Sequence, residues 1–214
     1  MDVSPDGKEV VLFNRYGKDM VFKWLRSTDL SLLSSLPSSG FDLNMNASSN
    51  SVTTYRDERL DVVSKSGSVL FSCRSCIPHF LTDDLLFVDR GFVDTGIDRQ
   101  GTYSIETLSG EKRASGRLDH GAADFTRAAN ASRLAYLSGH FRGSGFPVQT
   151  HFNSLGGKIT VLDWSANKRV AEIEINEPAG DPSAGLTQSA LALSPDGKYL
   201  LVLLHHTLTC YRLP

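Results

Sequence analysis

Two cysteines separated by two residues, Cys73 and Cys76, are followed three residues later by His79. Thiolates at this spacing can chelate one zinc ion or form a redox-active disulfide. A structural zinc needs four ligands. Cys73, Cys76 and His79 would supply three, and they are the candidate metal ligands of this sequence. The alternative is a connecting loop whose cysteines are reduced or bonded to each other, and no metal or other cofactor is predicted. Cys210 lies in an apolar run, which predicts a small buried side chain.

The segment 139–157 is the longest irregular stretch between two predicted strands. Long loops on a rigid scaffold often carry binding surfaces, and this one combines aromatic and cationic groups. Its candidate binding residues are His140, Phe141, Arg142 and His151. The histidines could act as ligands, as general bases or as plain polar residues, and the whole segment could instead pack on a neighbouring element.

Sequence motifs that carry catalysis are absent from the chain. There is no Gly-x-Ser-x-Gly elbow, no His-Glu-x-x-His pair and no phosphate-binding glycine loop. No catalytic residue is therefore predicted.

Composition excludes several classes of protein. The 214 residues include 22 Lys and Arg against 24 Asp and Glu, a net charge of −2, so a strongly basic nucleic-acid binder is not expected. No apolar stretch approaches the length of a membrane span. Residues 1–7 lack the basic and apolar regions of a signal peptide. The sequence names no compartment.

Short apolar runs bounded by Gly, Asp, Asn and Ser recur along the chain, without helical spacing, and this pattern predicts many β-strands. The clearest repeat aligns residues 3–12 with residues 193–202, and each copy contains the turn Ser-Pro-Asp-Gly-Lys. Pro sets φ for such a turn, Asp bonds the nearby backbone and Gly supplies positive φ. A second recurring hairpin is clearest at 158–173 and occurs again at 102–113.

Joining the two elements gives modules of four strands at 2–37, 41–75, 77–118 and 123–176, followed by three strands at 188–214. A period near 40 residues with four strands a unit is typical of a β-propeller. The predicted fold is thus all-β, a single β-propeller domain or segment with about four complete blades and one partial blade. The alternative is an ordinary β-sandwich.

The Ser-Pro-Asp-Gly-Lys turns and the Gly-Lys-Ile-Thr-Val-Leu-Asp element at 157–163 resemble the WD40-like and YVTN-type propeller repeats of bacterial proteins. These proteins are often periplasmic or secreted. The resemblance implies a ring of seven blades, so the chain would be the C-terminal portion of a larger propeller whose missing N-terminal blades are its partner. A small ring of four or five blades is the alternative.

These features favour a non-enzymatic propeller module that presents loops to a protein or a small ligand. One alternative is part of a propeller enzyme resembling the amine-dehydrogenase heavy chain or the YVTN-type lyases and reductases. The other is a truncated fragment without independent function.

Overall fold

A computed structural model of the chain describes the residues 2–4, 6–14, 20–38, 47–56, 59–90, 101–118, 122–128, 130–141, 152–175, 189–204 and 207–214. Regular structure in these ranges consists of β-strands alone, which confirms the all-β prediction. The described residues contain no helix long and apolar enough to span a membrane.

Eighteen strands build five sheets in the described residues. Sheet 1 has the order β1 (Asp2–Val3), β2 (Glu9–Asn14), β3 (Met20–Arg26) and β4 (Leu32–Ser38). Sheet 2 contains β5 (Ser51–Arg56), β6 (Arg59–Ser64) and β7 (Val69–Arg74). Sheet 3 contains β8 (Ile77–Phe80), β9 (Leu85–Asp89), β10 (Gly101–Thr107) and β11 (Lys112–Leu118). Sheet 4 contains β12 (Ala122–Arg127), β13 (Arg133–Phe141), β14 (Phe152–Asp163) and β15 (Lys168–Ile175), and sheet 5 contains β16 (Ser189–Leu193), β17 (Tyr199–Leu204) and β18 (Thr207–Arg212).

Every sheet is a meander in which strands adjacent in sequence are also neighbours in space. The chain divides into two compact units, one of residues 1–88 and 104–113 and the other of residues 89–103 and 114–214. Each unit is described by itself below.

One backbone hydrogen bond recurs in all five sheets and makes their positions comparable. In each sheet an N–H just beyond one strand donates to the carbonyl of the residue that precedes the sheet's second long strand. The donor and acceptor pairs are Ser27 to Lys8, Lys65 to Asn50, Leu108 to Asp84, Trp164 to Ser132 and Leu213 to Lys198, at 2.8–3.1 Å. Residues at the same distance from these five acceptors are therefore structurally equivalent.

The two Ser-Pro-Asp-Gly-Lys turns have the same hydrogen bonds. Ser4 Oγ donates to Asp6 Oδ1 at 2.7 Å, as Ser194 Oγ does to Asp196 Oδ1. The backbone N–H of the lysine that follows donates to the same carboxylate oxygen at 3.1 Å in both turns. Gly7 and Gly197 have φ of 72° and 70°, a conformation that favours glycine. The repeat predicted from the sequence is thus a repeat of local structure.

Within the first unit, sheets 1 and 2 are joined by an apolar cluster around Trp24. Val11, Phe22 and Trp24 of sheet 1 are buried against Ala47 and Val52 of the next repeat. The indole N–H donates to the carbonyl of Ser48 at 3.2 Å, which satisfies its polar atom.

A cation closes the same joint at its edge. The Lys65 ammonium lies 5.4 Å from the centre of the Trp24 ring and 2.8 Å from the Glu9 carboxylate. Both ionic groups are partly buried, so this cation–π contact and ion pair are screened less than a surface pair would be.

Within the second unit, sheets 4 and 5 form a joint of the same kind. Ala135, Leu137, Ile159 and Val161 of sheet 4 pack against a group of buried residues in sheet 5 and the tail after it. That group contains Leu200, Val202 and Leu213. Arg133 donates across the joint to the carbonyls of Gly197, at 2.9 Å, and Pro214, at 2.7 Å.

Asp163 holds the turn between β14 and β15. Its Oδ1 accepts hydrogen bonds from Ser132 Oγ, Ser165 N, Ser165 Oγ and Ala166 N, at 2.8–3.2 Å. Burial raises the pKa of Asp163, but the hydrogen bonds from Ser165, Ala166 and Ser132 lower it more, and the net pKa lies below its ordinary value.

We predict that Asp163→Ala lowers the free energy of unfolding by about 1 to 2 kcal/mol at neutral pH, because several hydrogen bonds to a charged acceptor are lost. Asp163→Asn should cost less, since its amide oxygen can still accept. A carboxylate with a depressed pKa in the folded state stabilises above its unfolded pKa and loses this contribution as the pH falls. Urea unfolding at pH 7 and pH 3 measures this, and an undiminished deficit of Asp163→Asn at pH 3 would contradict it.

Gly116 leaves space for an aromatic ring. A Cβ added at this position would lie 2.5 Å from the ring of Tyr103, whose hydroxyl donates to Asn167 Oδ1 at 2.8 Å. The Asn167 amide in turn donates to the carbonyl of Ser115 at 3.2 Å.

Gly116→Ala should therefore lower the free energy of unfolding by about 1 to 3 kcal/mol through overpacking. Adding Tyr103→Leu to Gly116→Ala should recover part of this loss, because the smaller side chain frees the volume that the methyl group needs. Thermal unfolding of the two single variants and the double variant measures the coupling, and strictly additive losses would disagree with this account.

Candidate functional site

The hairpin of β13 and β14 projects beyond the rest of sheet 4. These strands have 9 and 12 residues. Pairing with β12 reaches only Ser138, and pairing with β15 reaches only Gly157. Beyond these residues β13 and β14 continue to pair with each other as far as Phe141 and Phe152. We call this two-stranded extension, residues 139–141 and 152–156, the arm.

An irregularity in pairing separates the arm from the sheet. Gly139 pairs with Gly157 and Phe141 pairs with Phe152, so five steps along β14 correspond to two along β13. Bulges of this kind bend and twist a hairpin and re-aim what it carries. The arm therefore leaves the plane of regular pairing before residues 142–151 begin.

The base of the arm is well held. Leu137 and Ile159 are fully buried in the joint with sheet 5. Ser138 Oγ donates to the carbonyl of Lys158 at 3.2 Å. The Lys158 ammonium lies 3.5 Å from the Glu174 carboxylate and 3.9 Å from that of Glu172.

Sequence reasoning did not single out this ion-paired base. The signal was present, since Lys158 and Glu174 face each other once β14 and β15 are paired in register. Finding it required that register, which the sequence pattern alone did not specify.

The predicted binding residues belong to the arm and to the segment that it carries. The backbone of His140 and Phe141 forms the end of β13. Arg142 and His151 lie outside the described residues. The position of the insertion between the second and third strands of a blade agrees with the sequence-based prediction. The role of the four residues stays a prediction.

Cys73 and Cys76 are bonded to each other in a disulfide at the corner between β7 and β8. Both side chains are buried, and Ser75 between them has φ of 53°, in the left-handed region. Of the alternatives that the sequence left open, the structure has the locally bridged pair. Sulfur atoms in a disulfide are not thiolates and cannot serve as zinc ligands in this state.

His79 follows on β8 and points into apolar surroundings. Its ring centre lies 6.3 Å from that of Phe87. Burial lowers the pKa of His79 to about 3, so its imidazole is neutral at physiological pH. Among the residues that the structure describes, no three His, Cys, Asp or Glu side chains form a group that could hold a metal ion.

Cys210 on β18 is a free cysteine, and its side chain is exposed. The expectation of a small buried residue is wrong here. The apolar run did predict a strand, but burial also depends on whether another element covers that face of the sheet, which the run does not determine.

The disulfide leads to a thiol count that can be measured. Native protein should show one reactive thiol, that of Cys210, and three after reduction, because the chain has three cysteines. Cys76→Ser should lower the free energy of unfolding by about 2 kcal/mol, as expected for a short closed loop. Cys210→Ser is the control and should have little effect. Three reactive thiols in native protein without reductant would contradict the bond.

No known protein family matches the chain, and no curated protein is similar to it in sequence. Solved structures do match. KlAtg21, solved in complex with the coiled coil of AgAtg16, aligns over 97% of this chain and 64% of its own, with a TM-score of 0.59 and 10% identity. Hsv2 of Kluyveromyces marxianus aligns over 96% of this chain and 56% of its own, with a TM-score of 0.57 and 12% identity.

Hydrazine synthase of Kuenenia stuttgartiensis also matches, over 94% of this chain and 54% of its own, with a TM-score of 0.57 and 14% identity. The chain thus spans about half to two thirds of the length of these structures. All three contain β-propellers, and identities this low show similarity of fold alone. The five sheets are those of a β-propeller, and this prediction from the sequence is confirmed.

Proposed function

We propose that this chain is a non-enzymatic β-propeller module that binds a protein or a small ligand through the arm and residues 142–151. The observation that carries the proposal is the projection of β13 and β14 beyond both flanking strands. An extension of this kind leaves its own backbone and side chains accessible, while the sheet below supplies a fixed platform.

The chemistry of the arm and its loop suits recognition. The sequence from His140 to His151 contains aromatic, cationic and small flexible residues. Aromatic side chains and arginine contribute strongly to binding interfaces because they combine a large contact area with polar groups. Arg142 would supply a planar cation able to bind a carboxylate or to stack on an aromatic ring, and Phe141 would supply apolar contact.

The binding of partners by propellers of this fold has a precedent in the comparisons. KlAtg21 was solved with the coiled coil of another protein, so that propeller binds a protein segment. For the present chain this supports a protein partner as the first hypothesis. The assignment of its repeats to the bacterial WD40-like or YVTN-type variety rests on the two Ser-Pro-Asp-Gly-Lys turns and is part of the proposal.

Replacing residues 142–151 by a Gly-Ser linker of equal length should abolish partner capture and leave folding unchanged. The core of sheets 4 and 5 lies below the arm, so the melting temperature should stay close to that of the parent chain. Quantitative mass spectrometry after affinity capture from the source cells compares the two proteins. Partners retained only by the parent chain support the proposal, and identical partner sets would overturn it.

Point variants separate recognition from the general charge of the surface. Arg142→Ala combined with His151→Ala should weaken capture of the partner identified above by at least about tenfold, as for loss of one interface anchor. Lys112→Ala combined with Arg113→Ala is the matched control, because both residues are exposed cations on a different hairpin. Equal losses in the two double variants would indicate nonspecific electrostatic binding.

A further inference from the structure

Successive residues of a strand point to opposite faces of its sheet, so each sheet of this chain has two faces to cover. We call the forward face the one that carries the third residue after the carbonyl acceptor of the recurring hydrogen bond. The rear face carries the second residue after it. In sheets 1 and 4 the forward face packs against the next sheet along the chain.

The forward face is buried in every sheet except the last. The third residue after the acceptor is buried in sheets 1 to 4, but in sheet 5 it is Leu201, which is 40% exposed. The buried equivalents are Val11, Thr53, Phe87 and Ala135.

Strand β18 shows the same contrast. Leu208, opposite Leu203, is 66% exposed, whereas its equivalents Phe22 and Ile159 are fully buried. Cys210, opposite Leu201, is exposed, whereas its equivalents Trp24, Val62 and Val161 are fully buried. We call Leu201, Leu203, Leu208 and Cys210 the open forward face.

The rear face is open at the other end of the series. The second residue after the acceptor is fully buried in sheets 2 to 5, as Val52, Leu86, Leu134 and Leu200. Its equivalent in sheet 1, Val10, is only partly buried. Val3, which pairs with Val10, is 42% exposed, whereas its equivalent Ala47 is buried.

Leu12 and Leu25 complete this open rear face and are also partly exposed. Their equivalents in sheet 4, Tyr136 and Leu162, are buried. Lys23, opposite Leu12, occupies a position that is polar in covered rear faces too, as Asp61 in sheet 2 and Thr160 in sheet 4. A polar residue there is thus compatible with a covered face.

We propose that the open forward face of one copy of this chain packs against the open rear face of a second copy. The joints around Trp24 and around Leu137 show that a forward face of this chain fits a rear face of this chain. A second copy supplies that complementary surface wherever the protein itself is present. The inference is independent of the arm and goes beyond the proposed binding function.

The proposed contact joins two different surfaces, so it is heterologous. Contacts of this type continue from copy to copy and generate rings or open-ended assemblies rather than a closed dimer of identical faces. This property makes the proposal testable in a way that general stickiness of an apolar surface does not.

The first experiment is analytical ultracentrifugation of the chain across a concentration series. The parent protein should form assemblies larger than a dimer. Leu208→Glu on the forward face and Val3→Glu on the rear face should each raise the dissociation constant at least about 100-fold, because the contact would bury an uncompensated carboxylate. Leu30→Glu is the matched control, since Leu30 is 61% exposed in the turn between β3 and β4. It should associate like the parent, and circular dichroism verifies that all variants fold.

Mixing the two blocked variants provides the decisive result. Each retains one intact face, so the mixture should form a dimer with one copy of each variant and nothing larger. The Cys210 thiol provides a second readout, because alkylation of the parent protein should slow as its concentration rises. A parent chain that stays monomeric, or blocked variants that still self-associate, would overturn the proposal. Unaffected association would point to other surfaces, and a monomer would leave these faces for a different occupant.

Discussion

The packing of one sheet's face against the next sheet underlies the rest of this structure. A twisted sheet of three or four short strands cannot stabilise itself while both of its faces meet water. Here Trp24 and Leu137 lie in clusters that bury one sheet against its successor. Burial of apolar area of this kind is the main favourable term in folding, at about 25 cal/mol for each Å² removed from water. Hydrogen bonds such as that from the Trp24 indole then keep the buried polar atoms satisfied.

Turns between the strands bring these faces into register. Asp6, Asp163 and Asp196 each accept several hydrogen bonds from the residues of their own turn or a neighbouring one. Since a shift of one residue would transfer every side chain to the opposite face, a turn with one defined geometry protects the apolar cluster as well as the loop. The carboxylates therefore stabilise the fold, and their depressed pKa values follow from the hydrogen bonds that they accept.

Rigid packing at the base also explains how sheet 4 can support a long insertion. Leu137 and Ile159 are fixed in the core one step before the pairing becomes irregular at Gly139. Residues beyond this point are held by their own hairpin, so their sequence is free to change without loss of the joint below. A propeller can thus carry unlike functions on one framework, and in this chain the arm is the part whose structure departs most from the repeat.

The sequence by itself determined the class of fold and much of its local structure. Alternating apolar runs and the two Ser-Pro-Asp-Gly-Lys turns predicted β-strands and equivalent hairpins, because turn chemistry and strand periodicity depend on residues close together in the chain. The insertion at 139–157 was also visible, as a break in the period. Tertiary structure decided which apolar residues are covered. Leu201 and Ala135 occupy equivalent strand positions, yet one is exposed and the other buried, because burial depends on the neighbouring sheet. The state of Cys73 and Cys76 was decided in the same way, since a bend at Ser75 brings together two side chains whose spacing alone allowed several chemistries.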